Sequence, residues 1–491
     1  MQVLRIHDGD DVAVALEAGR AKDTALPVGV VLQQDIPFGH KVALRDIRAG
    51  ENIVKYGYPI GHATQDIAMG SHVHSHNMST NLSGKLEYRY DKQSAPLPKT
   101  APATIQAYAR RDGRMGIRNE VWVVPTVGCV NAQAEHLAKQ AHALYAGEGL
   151  GGVYAFTHPY GCAQMGDDLA TTARALAALC DHPNAYAVLV LGLGCESLYI
   201  DKFKAALGEY DPQRIAFLNA QDVEDEIEEG MALLKPLCEQ ARRQKRTPHS
   251  AAGLIVGLKC GGSDAFSGIC ANPALGAASD MLIAQGATTI LTEVPEMFGA
   301  ETILMNRCET RELFDQTVAL INDFKDYFIK NEQVIYENPA PGNKAGGITT
   351  LEEKSLGCTQ KSGTAPVTGV LSYAQRAGAP GLNLLSAPGY DLISASALCL
   401  SGAHLVVFTT GRGTPFGSPA PTIKVASNTP LFERKKSWMD FDAGPIANGA
   451  SIRDTGAALY DLILRTASGL PTRSELFGAR QVALFKNGVT N

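Results

Sequence analysis

Three of the chain's twelve histidines fall within five residues, in the run His72-Val73-His74-Ser75-His76-Asn77. On a β-strand alternate side chains share a face, so these imidazoles would converge on one ion. Neutral imidazole suits borderline metals such as Fe(II), Mn(II) or Zn(II). The competing reading is an exposed turn, or one histidine used only as acid or base. His72 and His74 are the leading candidates for metal ligation or catalysis, with His76 as a further ligand.

Five of the ten cysteines adjoin glycine at apparent strand ends: Cys129, Cys162, Cys195, Cys260 and Cys358. Three thiolates meeting at one sheet edge would suit an iron–sulfur cluster or a thiolate-bound iron. No pair has CxxC spacing, and a small residue where strand meets helix explains each one singly just as well. Cys129, Cys162 and Cys358 enter as candidate metal ligands on that basis. Cys180, Cys238, Cys270, Cys308 and Cys399 lie in helical patterns and read as core residues, and ten cysteines are too sparse for a disulfide scaffold.

Several segments could hold an anion. Arg118, beside Asn119 and Glu120, offers a planar fork for a carboxylate, or simply pairs with Glu120. Cys260-Gly-Gly-Ser263-Asp264 follows a strand and opens a helix, where glycines let an anion approach backbone N–H groups. It lacks the GK[ST] ending of a phosphate loop, and Leu191-Gly-Leu-Gly-Cys-Glu196 lacks the third glycine of a dinucleotide fingerprint. Glu293 and Glu296 close another strand as candidate bases or ligands, while Glu301 reads as a cap. The polar loop from Glu337 to Cys358 supplies Asn343, Lys344 and Lys354, and Gly411-Arg412-Gly413-Thr414-Pro415 sets an arginine between glycines. Turn chemistry alone explains the Gly and Pro there but not the Arg or Lys.

These residues need elements to position them. Residues 1–83 read as short strands and turns, with Asp46-Ile-Arg-Ala-Gly50-Glu-Asn-Ile-Val54 echoed twenty residues later by Asp66-Ile-Ala-Met-Gly70-Ser-His-Val-His74. Ser94 to Thr104 is a Pro/Ala/Thr stretch that reads as a semi-rigid linker. From about residue 105, apolar strand candidates alternate with helical patterns, which implies α/β layers on a largely parallel sheet with ligands at the strands' carboxyl ends. A further break is expected in the loop Pro339–Gly347. The expected organisation is therefore an all-β domain over 1–93, a linker over 94–104, a Rossmann-like α/β domain over 105–340 and a second α/β domain over 341–491.

The chain's 491 residues carry a net charge of −6, so no electrostatic case exists for nucleic acid or an anionic membrane as partner. The first residues show no signal-peptide pattern, and no apolar run approaches the roughly 20 residues that span a bilayer. A cytoplasmic protein is expected.

Taken together, HVHSHN, RMGIRNEVWVVPTVGCVN, HPYGCAQMGDD, CGGSDAFSGI, LTEVPEMFGAE, YENPAPGNKAGGITTLEEKSLGCTQK and GRGTPFG resemble the altronate/galactarate dehydratase family over essentially the whole chain. Length and spacing lie nearer its altronate branch. The resemblance implies an N-terminal SAF-type β-clip domain and dependence on Fe(II), alternatively Mn(II). It also implies a reaction: loss of water from D-altronate to give 2-dehydro-3-deoxy-D-gluconate in galacturonate breakdown. The chemistry would need a base for the C2 proton, an acid at the C3 hydroxyl, and cations to hold the enediolate. His72 and His74 are then expected on the metal or as base, with Glu293 or Glu296 as the alternative base. Arg118, Lys344 or Arg412 would clamp the carboxylate, with Asn119, Ser263, Asp264, Asn343, Lys354 and Thr414 around the sugar. A galactarate or other aldonic or aldaric acid dehydratase is the rival within the class; a non-catalytic metal or sugar-acid binding protein is the rival outside it. A homo-oligomer, taken as a dimer, is expected.

Overall fold

The computed structural model describes residues 1–93 and 95–490. Ser94, where the linker was expected to begin, and Asn491 lie outside the described residues.

The N-terminal part is all β. One antiparallel sheet runs, in spatial order, Val3–Leu4, Val12–Ala15, Lys41–Ala43 and His72–Val73; a second runs Asn52–Lys55, Tyr58–Ala63 and Met78–Ser79. The repeat in the sequence is a pairing device. Ile47 and Ile67 exchange both backbone hydrogen bonds, while Asp46 accepts from the Met69 amide at 2.7 Å and Asp66 from the Ala49 amide at 2.8 Å. Gly50 and Gly70 occupy equivalent left-handed positions, φ 83° and 86°, which a side chain would strain.

Residues 95–103 carry no regular structure, and Thr104 already belongs to the strand Thr104–Ala109, so the linker ends one residue early. That strand pairs antiparallel with Thr247–Ser250 and closes a small connecting sheet with Met115–Gly116.

A four-stranded parallel sheet follows, in spatial order Gly152–Ala155, Glu120–Pro125, Ala185–Gly192 and Ile215–Asn219. Alternation sorts its residues onto two faces. Val121 and Val123 pack with residues of the helices Asn131–Tyr145 and Glu226–Arg242, whereas Trp122 and Val124 pack with Asp168–Cys180 and Ile200–Leu207.

The largest sheet has seven parallel strands: Val367–Leu371, Gly381–Leu385, Thr288–Leu291, Ile255–Cys260, Leu405–Thr410, Thr422–Ala426 and Phe441–Asp442. Two of these precede residue 340 and five follow it, so the break expected there does not divide two units. The loop at 339–347 connects parts of one sheet, and the change of sheet falls instead between Arg242 and Ile255. Glycine and proline mark loops and linkers alike, and only strand pairing separates the two cases. In each parallel sheet the chain's first strand sits inside and its successors lie on both flanks. Those strands' carboxyl ends are therefore topological switch points, where α/β proteins place ligands. No helix among the described residues is long and apolar enough to cross a membrane.

Candidate functional site

The histidine strand is shorter than its alternation suggested. It ends at Val73, because Asn77 accepts from the His74 amide at 2.9 Å and donates to the His72 carbonyl at 2.9 Å, folding residues 74–77 into a turn. His72 still keeps close company. Pairing of Val42 with His72 brings His40 alongside, with His40 Nδ1 2.9 Å from His72 Nε2. Ring centroids lie 5.0 Å apart for His40–His72, 4.9 Å for His40–His74 and 5.3 Å for His72–His76.

Hydrogen-bond partners fix which nitrogens carry protons. The carbonyls of Lys344 and Ala345 only accept, at 2.9 Å from His74 Nε2 and 3.4 Å from His40 Nε2, so both imidazoles are assigned the Nε2–H form. His74 Nδ1 then accepts from the Ser75 amide at 2.6 Å, which leaves His74 with no free lone pair. His40 Nδ1 accepts from His72 Nε2–H, and the His72 Nδ1 lone pair has no partner among the described residues. Burial and the neighbouring His74 lower His40 to about 4, and burial with His40 lowers His72 to about 3. Both are neutral near pH 7, the state in which imidazole ligates a metal.

Behind this corner an ion triad joins the β domain to the seven-stranded unit. Glu353 receives Lys41 at 2.8 Å and Lys55 at 2.7 Å, with all three side chains essentially inaccessible. Lys41 also donates to the Gly347 carbonyl and the Thr349 hydroxyl, both at 2.8 Å. Burial would raise Glu353, but the two lysines hold it at about 2.

A pocket of ≈350 Å³ opens next to His40, lined by Gly39 and Ala345 and by Arg412 and Arg434. Neither arginine has an ion-pair partner among the described residues. Asp264 and Asn428 also line it. The Asp264 carboxylate accepts from Ser267, Ser427 and Asn428 at 2.8–3.0 Å, and Asn428 also donates to the Gly411 carbonyl. A larger cleft of ≈470 Å³ near Tyr56 and Tyr58 is the less suitable site, since its Asp280 is taken by backbone amides and its Arg307 by carbonyls.

Glu293 and Glu296 lie deeper, at the ends of the central strands. Glu293 sits in the left-handed region at φ 69°, held by ion pairs to Lys259 and to Lys361 (2.9 Å). Glu296 pairs with Lys354 at 2.7 Å and stands 3.2 Å from Cys358 Sγ, itself 3.3 Å from Cys260 Sγ. Among the described residues, Cys260, Glu296 and Cys358 form the group of three ligand atoms mutually within 4.8 Å. Lys361 Nζ already donates to Cys260 Sγ at 2.8 Å. The hydrogen bond from Cys358 lowers the Cys260 thiol, while the same bond and burial raise Cys358 well above its usual range. Lys259, Lys354 and Lys361 thus already pair with Glu293, Glu296 and Asp391 around these sulfurs, and an entering cation would have to displace ammonium groups. The histidine corner, with neutral donors and an open lone pair, suits a divalent ion better.

Other expected contacts are engaged elsewhere. Arg118 binds both Glu475 oxygens, at 2.7 and 2.9 Å, and three carbonyls, so it has no N–H left for a substrate. Asn119 accepts from Arg110 and donates to the Ala241 carbonyl. Asn343 donates to the Ser263 carbonyl, Lys354 is tied to Glu296, and the Thr414 hydroxyl accepts from the Phe416 amide. Cys129 and Cys162 lie in the four-stranded unit and Cys358 in the seven-stranded one, so these three do not converge. Neither His40 nor Arg434 gave a sequence signal. Each is a single residue in an ordinary turn or helix, brought to the site only by folding.

Family models match all three parts. An altronate/galactarate dehydratase SAF domain covers residues 1–81, the second domain of D-galactarate dehydratase/altronate hydrolase covers 107–242, and the D-galactarate/altronate dehydratase C-terminal domain covers 251–490. The SAF-type β domain and the two parallel-sheet units thus each match a model from sugar-acid dehydratases. The chain belongs to the altronate/galactarate dehydratase family. It is 50% identical to the altronate dehydratase of Escherichia coli K12 over all of both chains, and 49% identical to that of Bacillus subtilis 168 over 99% of both. The galactarate dehydratase (L-threo-forming) of Escherichia coli K12 is 33% identical over 98% of this chain and 96% of its own.

Proposed function

We propose that the chain is an altronate dehydratase, a hydro-lyase that converts D-altronate to 2-dehydro-3-deoxy-D-gluconate plus water in hexuronate breakdown. Full-length identity near 50% to two altronate dehydratases carries this reading. The pocket supports an anionic substrate: Arg412 and Arg434, which line it without an ion-pair partner among the described residues, would clamp a carboxylate.

In this reading Arg412 and Arg434 hold the carboxylate, and the rim of Asp264 and Asn428 receives sugar hydroxyls. His72 Nδ1 and His76 would hold Fe(II) or Mn(II), while His40 orients His72 and His74 stays pinned to the Lys344 carbonyl. When bound, the metal would supply Lewis-acid stabilisation of the enediolate charge. Glu293 and Glu296, locked by lysines behind the strands, give no general base. The C2 proton then falls to a base other than these two, and His72, with its open Nδ1 lone pair, is assigned either that role or the metal.

The test is formation of 2-keto acid from altronate and from galactarate, with Fe(II) under reducing conditions. Faster turnover of galactarate would overturn the substrate assignment, and binding of either acid without product would favour a binding protein. Retained metal content in both His72→Ala and His76→Ala would remove the metal assignment.

A further inference from the structure

The four-stranded sheet carries a second switch point, and its three exposed thiols are outside everything described above. Cys129, Cys162 and Cys195 each follow a glycine just past the carboxyl ends of Glu120–Pro125, Gly152–Ala155 and Ala185–Gly192, three adjacent parallel strands. Pro125 pairs with Leu191, and these two strands reach Cys129 and Cys195 four residues later, while the third reaches Cys162 seven residues past Ala155. Backbone bonds stitch the loops together: the Gly128 amide donates to the Tyr160 carbonyl at 2.9 Å, and the Leu198 amide to the Gly161 carbonyl at 3.0 Å. Glu196, buried, accepts from the Thr126 hydroxyl at 2.6 Å and the Gly194 amide at 2.7 Å, tying two of the three strand ends.

The glycines are required by this approach. A Cβ at Gly161 would stand 1.9 Å from the Thr126 carbonyl oxygen, and φ there is 103°. One at Gly194 would meet the Gln221 side chain at 2.8 Å. Polar groups reach the sulfurs: Gln221 Nε2 donates to Cys195 Sγ at 3.5 Å, and the Ser197 hydroxyl lies 3.6 Å from Cys162 Sγ. Buried cysteines elsewhere in the chain are shielded from solvent; these three are all free and exposed at one sheet edge.

We propose that Cys129, Cys162 and Cys195 form a three-thiolate site for an iron–sulfur cluster, with the fourth iron left without a protein thiolate. A single tetrahedral ion at metal–sulfur distances of about 2.3 Å needs sulfurs roughly 4 Å apart. The strand-end trio is more open than the mutual 4.8 Å that Cys260, Glu296 and Cys358 satisfy, so it suits a multinuclear cluster instead of one ion. Bonds from Gln221 and Ser197 to the sulfurs are the contacts that tune such clusters. The inference is independent of the histidine pocket.

The full chain, purified anaerobically and reconstituted with ferric iron, sulfide and a thiol that reduces half of the iron, is expected to hold about four irons and four sulfides per chain. A broad visible absorbance near 400 nm and an electron paramagnetic resonance signal on one-electron reduction should accompany them. Cys129→Ser, Cys162→Ser and Cys195→Ser should each lose most of the sulfide and absorbance while keeping the native circular dichroism, since all three side chains are exposed. Cys358→Ala should keep both. Reconstituted protein without acid-labile sulfide, stoichiometric metal without sulfide, or clusters surviving all three serine variants would overturn the proposal. So would a cluster lost only in Cys358→Ala, which would place it at the buried thiols.

Discussion

Glu353→Gln tests how the β domain is held against the seven-stranded unit. The substitution keeps shape but leaves Lys41 and Lys55 buried without a countercharge. Removing one partner from a buried pair costs about 3–5 kcal/mol. A second route gives a similar figure: Glu353 is held at about 2 against an ordinary 4.5, which at about 1.4 kcal/mol per unit is on the order of 3 kcal/mol. The two lysines do not share this equally. Burial, opposed by Glu353 and aided by repulsion from Lys55, lowers Lys41 to about 8, whereas Glu353 holds Lys55 above its usual range against burial. Lys41 can therefore lose its proton cheaply near neutrality, and the penalty rests on Lys55. The low end, about 3 kcal/mol, is the expected loss. Hydrogen exchange of the strands Val12–Ala15 and Lys41–Ala43, read by mass spectrometry at pH 7, should accelerate by about 100-fold, with less effect on Ala185–Gly192. In the unsubstituted protein the Glu353 contribution is complete above pH 4.5 and should be lost as pH falls toward 2, because its folded value is the depressed one. Exchange in the β domain unchanged within a factor of three would refute the reasoning.

Arg412→Ala and Arg434→Ala should each raise KM for altronate by about 5–30-fold with a smaller change in kcat, from charge-assisted bonds of about 1–2 kcal/mol at exposed side chains. Steady-state kinetics check this, and an unchanged KM in both would remove the clamp. Arg118→Ala should behave oppositely, leaving KM unaltered but lowering stability by about 2–4 kcal/mol in urea unfolding, since it removes the two-oxygen pair and leaves Glu475 with Arg480 alone. Glu293→Gln should likewise destabilise by about 3 kcal/mol, because it removes one of two anionic or sulfur partners from each buried lysine, leaving Lys259 with Asp391 and Lys361 with Cys260. A Glu293→Gln variant of native stability without activity would instead restore that residue as a base. His40→Ala should weaken Fe(II) binding by about 10–100-fold while His72 remains, read by metal titration; unchanged affinity would end the orienting role.

The sequence by itself determined the class. Long motifs spread over the chain specify a dehydratase family, and short continuous apolar or β-branched runs such as Ala187–Leu191 and Thr288–Leu291 specify parallel strands flanked by helices. The strands Ile215–Asn219, Val367–Leu371 and Thr422–Ala426 escaped that reading, because polar or glycine positions interrupt their apolar pattern. Spacing marked His72, His74, Arg412 and the glycine–cysteine ends as chemical, yet it could not say which would meet. Tertiary structure decided that. His40 reaches His72 through strand pairing across 32 residues, and Lys344 and Ala345 fix the imidazole tautomers from about 270–305 residues away. Arg118 read in sequence as a carboxylate fork or a partner of Glu120, and it is consumed by Glu475, a residue 357 positions later. Whether a charged side chain is a ligand or a strut depends on the partner that folding delivers, and a partner hundreds of residues distant leaves no mark on local spacing.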